Sequence, residues 1–301
     1  IDRQPGSGGP PPIRPLGTLV MEWNEFEEEV GVLAGAKEHS ATKLAQDGSL
    51  LLHRALGEMF LGEPENLRRV AWRIAEARPT VVAIRNVGVA AFVTAREARV
   101  GDRMAAATRS ASRLARLLEA TPLSLGRWTQ SLMGDHVVTA GYSLGVRAAL
   151  IAAKQRLKSV KVVDGAEGTT EIVEQLAQEG IPVDLIPEAQ ADGAMRSAEV
   201  ALLGCNALLA DGSAIATRVA AKLARMALAK RIPVQILADT LKLAPWLPRG
   251  ASDDGSWELI PPTLVDHVVT EDGIRRPHQL LAAARDLSPR WNAFENGLAS
   301  R

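Results

Sequence analysis

The sequence predicts an α/β protein in which an N-terminal helical bundle domain precedes a Rossmann-like domain with a parallel sheet. Apolar residues recur at helical spacing in 67–75 and again in 105–118. From about Gly134, short apolar runs alternate with amphipathic segments, which is the pattern of parallel strands joined by crossover helices. Hydrophobic residues make up 47% of the chain and aromatic residues only 4%, so the core must consist mainly of small and aliphatic side chains.

These patterns divide the 301 residues into three parts. Residues 1–16 are rich in proline and glycine and lack an apolar period, which predicts a disordered tail. Residues 17–133 are predicted to form the helical domain, in which Pro79 ends one helix and begins the next. Residues 134–301 are predicted to form the Rossmann-like α/β domain.

Composition excludes several classes of function. The 35 Lys and Arg residues balance the 35 Asp and Glu residues, which argues against direct nucleic-acid binding. No apolar run reaches the roughly 18 residues of a membrane span, so we expect a soluble protein without membrane contacts. A single cysteine favours a cytoplasmic location. The five histidines are scattered, and no G-x-G-x-x-G motif follows a strand, so we expect neither a metal nor a dinucleotide cofactor.

Residues 197–245 form the unit around which the domain is predicted to be built. The apolar run Val200–Leu203 is expected to be a buried strand, and Ser213 is expected to be the N-cap of a long helix. Pro233–Leu237 supplies the next strand. Ligands of parallel sheets bind where strands end, which here means the loops Gly204–Asn206 and Asp239–Pro245.

A serine hydrolase is one interpretation of the segment Gly141–Gly145. It has the G-x-S-x-G pattern of a nucleophile elbow between a predicted strand and helix, with Ser143 as nucleophile. Asp266 and His278 follow in the chain order of that fold. The long helical region before the motif and the lack of an HGGG-like loop argue against this interpretation. The other interpretation is that small residues at a helix N-terminus let backbone N–H groups approach an anion.

Five segments resemble one known family, in the same order along the chain. They are ARPTVVAIRN at 77–86, TAGYS at 139–143, LLGCNALLADG at 202–212, AKRIPVQILADTLKLAP at 229–245 and ELIPPTLVDHVVTEDGIRRP at 258–277. The family comprises the alpha, beta and delta subunits of translation initiation factor 2B, together with ribose-1,5-bisphosphate isomerase and methylthioribose-1-phosphate isomerase.

The resemblance implies cofactor-free isomerases that convert an aldose 1-phosphate to a ketose with a cysteine and an aspartate. In this chain, Gly141 occupies the cysteine position and Asn206 the aspartate position, and neither side chain can transfer the proton. Cys205 and Asp211 are the candidates for a replacement pair.

The resemblance also implies a shell that holds a phosphorylated sugar or nucleotide. The family's Asn-Lys pair is replaced here by Ala216-Thr217, with Arg218 one position further on. The predicted substrate-binding residues are Arg78, Gly141, Tyr142, Ser143, Asn206, Arg218 and Lys242. The family further implies a homodimer or larger oligomer and allows for a protein partner.

Three functions are therefore under consideration. The first is a divergent family member that binds a phosphorylated sugar or nucleotide without standard isomerase catalysis. The second is an active aldose–ketose isomerase with rewired catalytic residues, and the third is a serine hydrolase acting through Ser143.

Overall fold

The structure is a computed structural model, and it describes residues 21–36, 40–59, 64–247 and 255–296. The predicted tail, 1–16, lies outside the described residues. In the described part of the chain, no helix is long and apolar enough to cross a membrane.

Helices fill the first half of the chain, as the periodicity predicts. They are α1 (Trp23–Gly35), α2 (Ala41–Glu58), α3 (Pro64–Ala77), α4 (Val82–Glu97) and α5 (Arg103–Thr129). The predicted apolar stripe on α3 is confirmed, because Leu67, Val70, Ala71, Ile74 and Ala75 are all buried in one core with the neighbouring helices. Burial of this stripe supplies most of the stability of such a helix, since helical propensity alone is weak.

The second half forms a seven-stranded sheet in the order β11-β10-β7-β4-β1-β2-β3. Its strands are β1 (His136–Ala140), β2 (Ser159–Val163), β3 (Val183–Ile186), β4 (Val200–Gly204), β7 (Val234–Leu237), β10 (His267–Thr270) and β11 (Gly273–Arg275). All neighbouring strands are parallel except β10 and β11. The helices of this half are α6 (Leu144–Ala152), α7 (Thr169–Gln178), α8 (Ala191–Ser197), α9 (Arg218–Lys230), α10 (Leu281–Arg285) and α11 (Ser288–Asn296). The predicted fold class is confirmed.

One predicted element is wrong, because Ser213 does not begin a helix. It lies in the turn of a hairpin formed by β5 (Ala207–Leu209) and β6 (Ala214–Thr217). In this turn, the Asp211 side chain accepts a hydrogen bond from the Ser213 N–H at 2.8 Å. Helix α9 begins only at Arg218, and its N-cap is Thr217, whose Oγ1 accepts from the Ala220 N–H at 3.2 Å. Residues 214–217 are all apolar or β-branched, so helical and strand periods cannot be distinguished over so short a run.

The hairpin belongs to a second sheet of four strands, in the order β8-β5-β6-β9, completed by β8 (Leu243–Ala244) and β9 (Trp257–Ile260). Successive side chains of a strand point to opposite faces, and in β5, β6 and β8 both faces are mostly buried. Ala207 and Ile215 contact the core of the helical half, whereas Leu208, Ala214 and Leu243 contact the core of the large sheet. The small sheet thus joins the two halves.

Asn86 of α4 connects three parts of the fold. Its amide nitrogen donates to the carbonyl oxygens of Leu241 and Leu243 at 2.6 and 2.8 Å, and its amide oxygen accepts from Trp291 Nε1 at 2.7 Å. Trp291 and Phe294 of α11 are fully buried in the core of the helical half. The last described helix therefore packs on the first half, although the predicted boundary assigns it to the α/β domain.

We predict that Asn86→Ala lowers the free energy of unfolding by about 2–4 kcal/mol, because it leaves two carbonyls and one indole N–H buried without partners. Urea denaturation measures this change. Asn292→Ala, at an exposed position of α11, is the matched control and should change stability by less than about 0.5 kcal/mol. Equal stability of the two variants would contradict the connecting role of Asn86.

Candidate functional site

A cavity of about 640 Å³ lies between the helical half and the carboxyl ends of the parallel strands. Its walls come from α1, α2, the turn after α3, the loops after β1, β2 and β4, and the start of α9. The structure brings together at this cavity all of the predicted substrate-binding residues, namely Arg78, Gly141, Tyr142, Ser143, Asn206, Arg218 and Lys242. Their role in binding stays a prediction.

Two helix N-termini face the cavity. Ser143 is the N-cap of α6, and its Oγ accepts from the Val146 N–H at 3.4 Å. Thr217, the N-cap of α9, also lines the cavity. Gly204 permits this arrangement, because a Cβ there would lie 2.7 Å from the Cβ of Ser143. Unpaired N–H groups and the helix dipole make such termini favourable for anions.

Arg78 and Arg218 bring positive charge to opposite walls. Arg78 lies in the turn between α3 and α4. The prediction that the next helix begins at Pro79 is wrong, since α4 starts only at Val82. Its Nη1 donates to the carbonyl of Ala34 at 3.3 Å, which anchors the guanidinium to the end of α1. Arg218 is exposed. Among the residues that the structure describes, neither arginine forms an ion pair within 4 Å. The pKa of Glu188 is lowered mainly by its hydrogen bond to Lys222, and the charge of Arg218 adds to this effect.

Lys242 is held differently, in a buried ion pair. Its Nζ lies 3.3 Å from Oδ2 of Asp239, and the two residues are 4% and 1% exposed. The same oxygen accepts from Oγ1 of Thr42 on α2 at 2.7 Å, while Oδ1 has no hydrogen-bond partner in the described part of the chain. Asp239 and Thr42 were not predicted as site residues. The only sequence signal was the place of Asp239 in the loop after a strand.

The two residues that the sequence predicts at the catalytic positions, Gly141 and Asn206, have no side chain that can transfer a proton. Gly141 has a φ of +69°, a left-handed conformation that costs other residues on the order of 1–3 kcal/mol, so the backbone here is suited to glycine. The buried Asn206 is fixed by its backbone N–H, which donates to the carbonyl of Ile215 at 2.8 Å. Asn206 lines the cavity, and an amide side chain can hydrogen-bond a ligand but cannot act as a general acid or base.

The proposed replacement pair does not fit the geometry. Asp211 is exposed at the tip of the β5–β6 hairpin, outside the residues that line the cavity, where its carboxylate closes the turn. Cys205 does line the cavity but is only 5% exposed. Burial raises the pKa of its thiol to about 12, and the positive charge of Lys242 only partly opposes this increase. A thiol with this pKa is protonated at neutral pH and is a poor nucleophile or base.

The hydrolase interpretation is also wrong in its geometry. Asp266 precedes β10, and its carboxylate accepts from the N–H of Val234, the first residue of β7. Ser143 lies past the opposite, carboxyl end of β1, which runs in the same direction as β7. In the part of the chain that is described, the hydroxyl of Ser143 bonds only to Val146, and His278 is not among the residues lining the cavity.

We predict that Cys205 in the native protein reacts with a thiol reagent such as DTNB at pH 8 at least a hundredfold more slowly than in denaturant, because the thiol is buried and protonated. Absorbance of the released thiolate measures the rate. Since the chain has one cysteine, the denatured protein gives the stoichiometric endpoint. Fast stoichiometric labelling of the native protein would instead support a catalytic thiol.

The helical layer, the parallel sheet and the cavity between them define a Rossmann-like protein with an anion-suited site at its strand ends. The sequence model of the Initiation factor 2 subunit family matches residues 37–254. The match spans well over half of the chain, and the protein belongs to this family.

Two curated relatives are similar in sequence. The chain is 25% identical over 252 residues to the ribose 1,5-bisphosphate isomerase of Haloferax volcanii, covering 73% of this chain and 78% of the relative. It is 26% identical over 268 residues to the ribose 1,5-bisphosphate isomerase of Haloterrigena turkmenica, covering 73% of this chain and 80% of the relative.

Solved structures share the fold. The translation initiation factor eIF-2B of Pyrococcus horikoshii OT3 superimposes with a TM-score of 0.74 at 20% identity, over 87% of this chain and all of that one. The eIF2B beta subunit of Chaetomium thermophilum gives 0.70 at 15% identity, over 87% and 91%. A chain of the tetrameric eIF2B-beta2-delta2 complex from the same organism gives 0.71 at 14% identity, over 87% and 94%.

Proposed function

We propose that this protein binds a phosphorylated sugar or nucleotide in the cavity and does not catalyse the isomerisation typical of the family's enzymes. One observation carries the proposal. A single cavity combines cationic side chains and two helix N-termini with a glycine and an amide at the catalytic positions.

The charge of the cavity supports a phosphate. Lys242 is compensated by Asp239, and Arg218 lies in the electrostatic range of Glu188, so the uncompensated positive groups are Arg78 and the two helix N-termini. A guanidinium can donate two parallel hydrogen bonds to a phosphate, and helix N–H groups can supply the remainder. The volume of about 640 Å³ lies within the range of roughly 300–1,000 Å³ that small-molecule sites occupy.

The names of the curated relatives favour the second candidate, an active isomerase, because both are ribose 1,5-bisphosphate isomerases. The chemistry at the predicted catalytic positions and at their proposed replacements argues against it. Moving a proton between adjacent carbons requires groups that exchange protons near neutral pH. Gly141 and Asn206 do not, Cys205 is held protonated by burial, and Asp211 is outside the cavity.

We predict that Arg78→Gln weakens the binding of ribose 5-phosphate by tenfold or more, because one charge-assisted contact is worth about 1.5–3 kcal/mol. Isothermal titration calorimetry measures the affinity. Arg196→Gln is the matched control, since Arg196 lies on α8, pairs with Asp192 and does not line the cavity. Equal affinity of both variants would remove Arg78 from the site.

Arg78→Gln is preferable to a change at Lys242 as a test of the site. Replacing Lys242 alone would leave the carboxylate of Asp239 buried without its counter-ion, which typically costs about 3–5 kcal/mol. A loss of binding in such a variant would not separate a binding role from unfolding. Arg78 is half-buried and makes one weak hydrogen bond, so its replacement leaves the fold intact.

Catalysis is tested with the unmodified protein. We expect no conversion of ribose 1,5-bisphosphate to ribulose 1,5-bisphosphate above the rate without protein, followed by ³¹P NMR. Clear turnover that is lost in Cys205→Ser would overturn the proposal and establish rewired catalysis. Turnover that survives in Cys205→Ser would point to a different catalytic group in the same cavity.

We also propose that the chain assembles as a homodimer or larger oligomer. The support is the family membership, together with the description of one structural neighbour as a tetrameric complex. Light scattering at micromolar concentration should give a mass of at least twice the 32.1 kDa of the chain. A mass of one chain would contradict this proposal and leave the ligand proposal unaffected.

A further inference from the structure

One carboxylate in the cavity, that of Glu167, has no assigned role. Among the described residues that line it, Glu167 is the only acidic one. It is exposed and forms no ion pair or hydrogen bond within the described part of the chain. No sequence motif points to it, and the proposed function does not use it.

The loop that carries Glu167 is fixed at both ends. The backbone N–H of Asp164 donates to the carbonyl of Ile186 on the neighbouring strand at 2.9 Å, and the carboxylate of Asp164 accepts from the Gly165 N–H at 2.7 Å. The hydroxyl of Thr169 donates to the carbonyl of Ala166. Glu167 is therefore presented to the cavity from a defined position.

This position is at one end of the cavity. Glu167 follows β2, whereas the loop of Lys242 follows β7, and the strand order β7-β4-β1-β2 separates them by three strand spacings, or about 14 Å. The N-terminus of α6, which follows β1, lies between the two ends. A ligand can thus place a phosphate at α6 and direct its remaining atoms toward Glu167.

The charges near Glu167 do not suit a second phosphate. Glu188 lies next to the loop, since a Cβ on Gly165 would be 3.6 Å from its carboxylate, and it is already paired with Lys222 at 2.6 Å. Of the groups at this end that line the cavity, Arg218 and Glu167 remain, and together they carry no net charge. Such a pair favours neutral hydroxyl groups over a dianion, because a carboxylate accepts hydrogen bonds but repels phosphate.

In dinucleotide-binding sheets, an acidic residue after the second strand accepts hydrogen bonds from ribose hydroxyls while the phosphate lies on the first helix. Glu167 has the corresponding position, after β2, and α6 is the first helix of the parallel sheet. Resting on the proposed function, we infer that Glu167 determines specificity by accepting hydrogen bonds from the hydroxyls of a singly phosphorylated ribose and by rejecting bisphosphates.

The test compares three ligands by isothermal titration calorimetry, namely ribose 5-phosphate, 2-deoxyribose 5-phosphate and ribose 1,5-bisphosphate. The wild-type protein should bind ribose 5-phosphate at least tenfold more tightly than either of the others. Glu167→Gln keeps the shape and removes the charge, so it should raise the affinity for the bisphosphate about tenfold and reduce the preference for ribose over deoxyribose. Glu174→Gln, an exposed position of α7 that does not line the cavity, makes the same change in net charge and should leave all three affinities unchanged.

The outcomes separate this inference from the proposal on which it rests. Tighter binding of the bisphosphate by the wild type, or equal ligand preferences in Glu167→Gln and the wild type, overturns the role of Glu167 while ribose 5-phosphate still binds. If neither ribose 5-phosphate nor the bisphosphate binds at millimolar concentration, this inference fails, and the proposed function also fails if AMP does not bind in the same titration. Thermal denaturation verifies that the variants are folded.

Discussion

The buried contact between Thr42, Asp239 and Lys242 is the interaction on which the site depends. It joins α2 of the helical half to the loop after β7 and keeps a cation beneath the cavity. Both side chains of the ion pair are buried, so removing either Asp239 or Lys242 would leave the other as an unpaired buried charge and lower the free energy of unfolding. The hydroxyl of Thr42 then fixes the orientation of the carboxylate. The position of the helical layer over the strand ends and the position of the lysine are therefore determined together.

The four-stranded sheet makes this arrangement possible. Because β5, β6 and β8 are short and mainly apolar on both faces, the sheet can be buried between two cores and hold the helical half against the parallel sheet. Asn86 reinforces the same junction, because its amide donates to the carbonyls of Leu241 and Leu243, the residues on either side of Lys242. The cavity is thus a consequence of how two layers meet, and its walls come from segments that are far apart in sequence.

The cavity combines features that suit an anion with two predicted catalytic positions that cannot transfer a proton. The features that favour an anion are present at the cavity, with Arg78 fixed to α1 and two helix N-termini directed inward. The left-handed conformation of Gly141 disfavours any residue that carries a side chain, and Asn206 is an amide, so neither position offers a group that transfers protons. Burial argues against Cys205 as a substitute, because it keeps the thiol protonated. Asp211 cannot substitute either, because it lies outside the cavity.

The sequence by itself determined the helical half and the alternation of strands and helices in the second half. It also determined which loops surround the cavity. Both follow from local properties, namely the hydrophobic period and the position of a loop at the end of a strand. The sequence did not determine the hairpin at 207–217, where an apolar run fits a strand and a helix equally well and only the two adjoining cores decide. Likewise, tertiary structure alone placed Asp211 outside the cavity and Glu167 inside it. Which side chains share a cavity depends on how distant segments pack, and this information is absent from any one stretch of sequence.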